Sequence, residues 1–296
     1  MKSGRIGIDL GGTKIETVLL DATGAVRFRQ RVATPKGDYA GTVAAIAALV
    51  GRIDVEFGGS SPVGIGTPGA WVPERRQMKN CNSTWLNGRP LLDDLNAALD
   101  DRVRIANDAN CFALAEAEGV DAEVVFGVIL GTGVGGGIVV GGQLLGGANA
   151  IAGEWGHTPL PYFGVDAAAD GREASLEDRP CYCGRTNCVE TFLSGPGLAR
   201  THEAFTGERL DGPVPTDSPA LDLYTTMLAR SLAQIVNVLD PDVIVLGGGV
   251  SNLDVLYRDV PRKLPKYAFA HEGRTRIVRA RLGDAAGVFG AARLGG

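Results

Sequence analysis

Histidine and cysteine are scarce in this chain, with three of one and five of the other among 296 residues, and only 6% of the residues are aromatic. An odd cysteine count and the lack of an apolar N-terminal leader argue against a secreted disulfide scaffold. They place the thiols in a reducing, cytoplasmic setting, where clustered cysteines more often hold a metal. No hydrophobic run approaches the length of a membrane span, so no membrane partner is expected. No basic cluster offsets a formal net charge of -5, which argues against nucleic acid as a partner. The chain is 45% hydrophobic, enough for a sizeable core in one large or two medium domains. Glycine alone is abundant, at 43 residues. It gathers at strand ends, where a backbone without Cβ can approach a ligand.

Three of the five cysteines fall together. Residues 153 to 157 read Gly-Glu-Trp-Gly-His, and residues 181 to 190 read Cys-Tyr-Cys-Gly-Arg-Thr-Asn-Cys-Val-Glu. His157, Cys181, Cys183 and Cys188 form a four-ligand soft donor set of the kind that suits zinc. A disulfide and unliganded thiols are the alternatives. Four protein ligands leave no open position, so the metal would be structural. Glu154 and Glu190 bracket the set, which would hold them still.

Along the chain, Arg5–Leu10, Ile15–Leu20 and Val26–Val32 read as a β-meander, and Thr42–Ile53 has helical periodicity. Val63–Gly66 is a short strand ending in Thr67-Pro68-Gly69, Leu91–Leu99 an amphipathic helix, and Val103–Ala106 a strand. Asn107-Asp108 opens a helix through Glu118. Val124–Leu130 is a strand, residues 131 to 136 a turn, and Gly137–Val140 the returning strand. Residues 7 to 13 (Gly-Ile-Asp-Leu-Gly-Gly-Thr) and 127 to 133 (Gly-Val-Ile-Leu-Gly-Thr-Gly) are alike, which predicts two homologous halves facing each other. Residues 162 to 180 are loop-like, and 163 to 179 suggest no role. Ala220–Leu239 is a long helix and Val243–Leu246 a strand. Ser251 is expected to cap the next helix, and Ala285–Leu294 closes the chain as a helix.

Glycine-rich turns follow three strands, at 11 to 13, 131 to 137 and 247 to 249. Backbone amides in such turns form anion-binding concavities, and three in one chain point to phosphate. Two motif matches mislead. Residues 7 to 14 resemble a P-loop with Lys and Thr in the wrong order. Residues 131 to 136 fit the dinucleotide fingerprint, but an apolar strand follows each, where both motifs require a helix.

Asp108 stands at a strand-to-helix junction. It is either a helix N-cap or a general base. Phosphoryl transfer to an alcohol needs in-line positioning, charge stabilisation and one carboxylate to take the hydroxyl proton. Asn107 offers a donor and an acceptor, which suits a sugar hydroxyl. Asp9, at the end of the first strand, is either a turn-capper or an outer-sphere partner of hydrated Mg²⁺.

With these motifs the chain resembles the ROK family of sugar kinases and regulators along nearly its whole length. The resemblance rests on Asp9–Lys14, Asn107–Asn110, Gly131–Gly133, Gly153–His157, Cys181–Glu190 and Leu246–Gly249. It implies an α/β, actin/hexokinase-like fold of two ribonuclease-H-like domains with a central cleft and a structural zinc site. The smaller domain is expected to span 1–107 plus 284–296, and the larger 108–283. The resemblance further implies that Asp9, Gly11, Gly12, Thr13, Lys14, Gly131, Thr132, Gly133 and Gly248 hold ATP and Mg²⁺. Asp108 is then the base. Gly69, Asn82, Asn107, Asp108, Glu154, His157 and Glu190 contact the sugar. His157 does so through the ring nitrogen that does not bind zinc. A homodimer is implied too. Asn187 stands where the family usually has Gly before the last Cys, and Asn tolerates the left-handed backbone next best.

Residues 82 to 88 (Asn-Ser-Thr-Trp-Leu-Asn-Gly), with Cys181-Tyr182-Cys183 and residues 237 to 251, look like the fructokinase branch of that family. The expected reaction is therefore ATP-dependent phosphorylation of D-fructose at its 6-hydroxyl. Glucose, mannose and N-acetylglucosamine are the alternatives. Trp85 either shapes the pocket or is core. A sugar-sensing regulator is disfavoured, because the phosphate motif begins within the first ten residues and leaves no room for a helix-turn-helix.

Overall fold

The computed structural model describes residues 4–164, 176–269 and 272–295. Part of the loop from Phe163 to Arg179 lies outside these residues. The chain runs through β1 (Arg5–Leu10), β2 (Lys14–Leu20), β3 (Val26–Ala33), α1 (Tyr39–Phe57), β4 (Val63–Thr67), β5 (Ala70–Val72), β6 (Gln77–Lys79), α2 (Leu91–Ala98), β7 (Val103–Asn107) and α3 (Asp108–Ala117). It continues through β8 (Val124–Leu130), β9 (Val134–Val140), β10 (Gln143–Leu144), α4 (Glu190–Leu193), α5 (Gly195–Thr206), α6 (Ala220–Leu239), β11 (Val243–Gly247), α7 (Asp254–Lys263), β12 (Arg276–Arg279) and α8 (Ala286–Leu294).

The chain divides into two compact units. The first comprises 1–119, 144–152 and 284–296, and the second 120–143 and 153–283. The boundary expected at 107/108 falls inside the first unit. The physical reason is close packing between α3 and α8: a Cβ on Gly290 would collide with the backbone of Cys111. The two helices touch backbone to backbone, so α3 stays with the first sheet.

That sheet has the order β3-β2-β1-β4-β7, and the second unit's sheet the order β10-β9-β8-β11-β12. In each, the first strand pairs antiparallel with the second and parallel with the fourth. The likeness between residues 7 to 13 and 127 to 133 thus corresponds to matching positions in two sheets of one topology. The fourth strands, β4 and β11, are buried at every residue, as parallel strands covered on both faces are. The outer strand β3 alternates, with Arg27, Arg29 and Arg31 outward. Charge on an edge strand discourages further pairing.

Each sheet is covered by helices whose apolar stripe the sequence carries. Helix α1 buries Ile46, Leu49, Val50 and Ile53, each contributing roughly 1.5–3 kcal/mol of transfer energy. It starts at Asp38, whose carboxylate accepts from the Gly41 amide at 2.9 Å. Helix α6 supplies Leu221, Leu228 and Leu232 to the second unit's core. Among the described residues no helix is long and apolar enough to cross a membrane.

Candidate active site

Strand β1 ends at Asp9-Leu10 and turns through Gly11-Gly12-Thr13. The turn closes on itself, the Gly11 amide donating to the Lys14 carbonyl at 3.0 Å. Thr34, just past β3, grips it from the side. Its amide donates to the Thr13 carbonyl at 3.0 Å, and its hydroxyl to the Gly11 carbonyl at 2.8 Å. The matching turn of the second unit, Gly131-Thr132-Gly133, closes with Gly131 N–H to the Gly133 carbonyl at 2.9 Å. Strand β9 then begins at Val134, earlier than the expected Gly137, because the turn needs only three residues. In both turns the first and third carbonyls are engaged. Among the described residues, no protein acceptor takes the amides of Gly12 and Thr13 or of Thr132 and Gly133. Paired free amides in a tight turn are what an anion requires.

Two further features surround the second turn. The Gly195 amide, at the start of α5, donates to the Gly131 carbonyl at 2.7 Å. Gly248 follows β11 with φ 82°, and a Cβ there would strike the Leu130 backbone. Only glycine takes that conformation without strain. Ser251 does not cap α7. Its hydroxyl donates to the Gly248 carbonyl at 2.7 Å, inside a 3-10 turn over Gly249–Asn252. Leu253 occupies the cap position.

In the first unit, Asn107 rather than Asp108 is the N-cap of α3. Its Oδ1 accepts from the Ala109 amide at 2.9 Å, and its Nδ2 donates to the Gly69 carbonyl at 3.3 Å. Gly69 in turn packs on Cys81, next to exposed Asn82. The structure thereby gathers Gly69, Asn107 and Asp108, with Asn82 at the rim. Capping by Asn107 frees Asp108 from that duty. Its Oδ1 accepts from the Ala109 amide at 2.8 Å. The carboxylate is reachable by solvent, yet desolvation by the surrounding protein raises its pKa, against the opposing pull of the Ala109 amide. Asp9 is raised to about 6 by burial first, then by the charges of Asp108 and Glu16, with Lys14 and Arg31 opposing. Two acids acting on one another, at the ends of β1 and β7, are a donor set that fits a hydrated divalent ion.

Trp85 is core. Its indole packs on the first unit's apolar cluster and approaches the Thr42 hydroxyl on α1 at 3.4 Å. Cys81 and Cys111 are buried, as small hydrophobes.

The second unit's side-chain cluster is assembled by short backbone pairings. The Leu160 amide donates to Asn187 at 2.8 Å, and the Val189 amide to Thr158 at 2.9 Å. These lay the 3-10 turn Trp155–His157 beside Cys188. Buried Trp155 anchors the turn, its indole donating to the Gly135 carbonyl at 2.9 Å. Asn187 takes φ 58°, the left-handed conformation expected of it. Its side chain adds bonds that glycine could not, accepting from Arg179 N–H at 2.7 Å and donating to Asp178 at 2.7 Å.

The ligand atoms of His157, Cys181, Cys183 and Cys188 all lie within 4.8 Å of one another. Cys183 and Cys188 sulfurs are 3.6 Å apart, and Cys181 Sγ is 3.5 Å from His157 Nδ1. A tetrahedron with Zn–S bonds of ~2.3 Å has edges close to these values, so the donor set fits zinc. Burial raises Cys181 and pushes Cys188 up to about 12. At Cys183 burial is outweighed by hydrogen bonds from Arg185 and the neighbouring thiols, which bring it down to about 6. All five cysteines are free, which sets the disulfide alternative aside.

Glu190 opens α4, and its Oε2 accepts from the Val134 amide at 2.9 Å. It thus ties the cysteine knot to the second glycine turn. Glu154 is exposed at the head of the 3-10 turn. The Nε2 of His157 is engaged, 2.8 Å from the Tyr182 hydroxyl. Burial, then the charges of Glu190 and Glu154, push that phenol up to about 12. Sequence reasoning passed over Tyr182 and Gly195. The run Ser194-Gly195-Pro196-Gly197 could have revealed the latter, being a helix-start signature with an N-cap serine and an early proline.

Two α/β units of one topology, each with a glycine turn after its first strand, define the actin/hexokinase-like two-sheet fold. The ROK family model matches residues 5–295, and the chain belongs to the ROK family. It is 40% identical to the N-acetyl-D-glucosamine kinase of Salmonella heidelberg (strain SL476), over 97% of this chain and 98% of the relative. Among solved structures it is similar to the ROK hexokinase from Thermus thermophilus, with a TM-score of 0.80, 30% identity, and 98% and 97% of the two chains covered. A ROK family glucokinase from Streptomyces griseus, in complex with glucose and AMPPNP, gives 0.72, 28%, and 99% of each chain. These three relatives, matched over nearly their whole length, are sugar kinases. The curated relative carries the name of N-acetylglucosamine, not of fructose as residues 82 to 88 had suggested.

Proposed function

We propose that this sugar kinase of the ROK family transfers the γ-phosphoryl group of ATP to the 6-hydroxyl of N-acetyl-D-glucosamine. The 40% identity across 97% of the chain supports the sugar. The observation that carries the chemistry is Asp108, a carboxylate relieved of capping and raised in pKa beside an asparagine pinned to Gly69. A base whose pKa approaches the working pH takes a proton best. In this reading the sugar oxygen attacks the γ-phosphorus, Asp108 takes its proton, and ADP leaves. The amides of Gly12, Thr13, Thr132 and Gly133 bind phosphate oxygens, with Lys14 at the edge of the first turn and Gly248 near the adenosine. Mg²⁺, held through Asp9, supplies charge neutralisation on the phosphates. Asn82, Asn107, Glu154, His157 and Glu190 bind sugar hydroxyls. Zinc at His157, Cys181, Cys183 and Cys188 holds the last of these in place. A homodimer belongs to the same reading.

D-Fructose is the second reading, resting on Asn82–Gly88 and Cys181-Tyr182-Cys183. The test is ADP release with ATP and Mg²⁺ on N-acetylglucosamine, fructose, mannose and glucose, with Asp108→Ala alongside. N-acetylglucosamine is expected to turn over fastest. The variant is expected to fold normally and to turn over at least about 100-fold more slowly. Fructose in first place would replace the sugar and keep the mechanism. Wild-type turnover in the variant would remove Asp108 as the base.

A further inference from the structure

We propose that the hydroxyl of Ser83 holds the phosphoryl group that is transferred, a role that rests on reading Gly11-Gly12-Thr13 as a phosphate turn and Asp108 as the base. Every residue involved lies in the first unit. Ser83 is 3% exposed, and a Cβ at Gly12 would stand 3.3 Å from its Oγ. The hydroxyl therefore lies against the middle residue of the turn, where glycine leaves it room. It is also unspent. Ser83 occupies the cap position of the 3-10 turn Thr84–Leu86, where a serine ordinarily caps, yet its side chain makes no capping bond. Among the described residues the hydroxyl has no hydrogen-bond partner. A buried hydroxyl normally has one, and the partner expected here is a ligand.

The segment that carries Ser83 is held from several sides. The Asn87 side chain clasps Cys81, accepting from its amide at 2.8 Å and donating to its carbonyl at 3.1 Å. The Leu86 amide donates to the Ser83 carbonyl at 3.0 Å. Leu86 is buried, and Trp85 packs on the first unit's apolar cluster. The motif Asn82–Gly88 is thus a braced loop in which Asn82 is exposed and Ser83, next to it, faces Gly12.

Which phosphate stands there follows from the sheet. Strands β1 and β7 both run parallel to β4, with Asp9 level with Gly66 and Gly66 level with Ala106. The glycine turn and Asp108 therefore leave the same edge of the sheet, close enough for the charge of Asp108 to act on Asp9. The phosphate on this turn is the one next to the base, which is the γ-phosphate. Its phosphorus gains a bond to the sugar oxygen and loses the bond to ADP, the sugar's proton going to Asp108. Ser83 keeps its own proton throughout and points it at an equatorial oxygen. Those oxygens carry the charge of the transition state, and the amides of Gly12 and Thr13 reach them from the backbone. A fixed O–H donor beside two fixed N–H donors needs no rearrangement as the charge shifts.

Ser83→Ala removes the hydroxyl alone, and Thr84→Ala removes the exposed hydroxyl next to it as a control. Titration calorimetry compares the β,γ-imido analogue of ATP with ADP, each with Mg²⁺ and without sugar, and then N-acetylglucosamine alone. Steady-state kinetics follows turnover. Ser83→Ala is expected to melt with wild type, since its hydroxyl caps nothing. Its Kd for the analogue rises about 10-fold or more, and kcat falls about 10-fold or more. Its Kd for ADP and for the sugar is unchanged, and Thr84→Ala behaves as wild type. Equal weakening of the analogue and ADP overturns the proposal, because ADP has no γ-phosphate. So does an unchanged Kd for the analogue. A wild type that binds the analogue and turns over no hexose removes the sugar reading alone, and the split between analogue and ADP still decides the role of Ser83. A wild type that binds neither nucleotide removes the phosphate turn, and Ser83 with it.

Discussion

The two glycine turns follow matching strands and differ in length, the first closing from Gly11 to Lys14 and the second from Gly131 to Gly133, and in what surrounds them. Residues 7 to 11 and 127 to 131 occupy matching strand positions, yet Asp9 corresponds to Ile129. The first turn is gripped by a neutral residue, Thr34, through an amide and a hydroxyl. The second is gripped by an acid, Glu190, and by the amide of Gly195. One topology has thus been given two chemistries. In the first unit the acid sits in the strand and acts on Asp108. In the second the strand is apolar, and the acid comes from the helix behind the cysteine knot. What the units share is the strand order, and the turn's length and the side chains around it differ between them.

The comparison can be broken most severely from the knot side. Cys183→Ser removes a ligand, and the variant is expected to lose its metal and melt on the order of 10 °C lower, reflecting several kcal/mol of lost binding free energy. Calorimetry with metal analysis checks this, and unchanged metal content would sink the ligand assignment. Glu190→Ala is gentler. It leaves the Val134 amide without its charged acceptor, an interaction worth ~1.5–3 kcal/mol. KM is expected to rise about 10-fold or more for the sugar and by a smaller factor for ATP. If only the sugar KM moves, the tether to the glycine turn carries no weight.

The smallest effect sharpens the other side. Asp9 stands at about 6 against an ordinary value of 3.8. The folded state therefore binds its proton more tightly than the unfolded chain does. Stability falls as pH rises from about 3.8 to about 6, and above that the desolvated charge is a standing cost. Asp9→Asn is expected to melt above wild type at pH 7.5 and not at pH 4, while its turnover falls. A melting gain equal at both pH values would remove the charge explanation.

Much of this was legible in the residues. Helix α6 matches its periodicity residue for residue, and the meander, the internal likeness and the four-ligand cluster all stand out locally. What escaped notice lacks a local pattern. Helix α7 was expected from Ser251 but begins only at Asp254, and it is short, polar and contains Pro261. Strands β5 and β6 have three residues each, and β12 is a half-buried edge strand of four. The capping alternative fell on Asp108 because Asn and Asp are equally good caps, and only the backbone, extended at Asn107 with ψ 152°, separates them. The unit boundary depends on α3 meeting α8 across most of the sequence, a contact that no window of residues contains.

That contact also sets an order of events. The first sheet waits for α8, and the chain reaches α8 only after every residue of the second unit has been made. On the ribosome the second unit can close around its own core while the first sheet has α1 on one face and still lacks α8 on the other. The later-finished unit is then the one begun first, and its exposed sheet face is the natural place for a chaperone to bind.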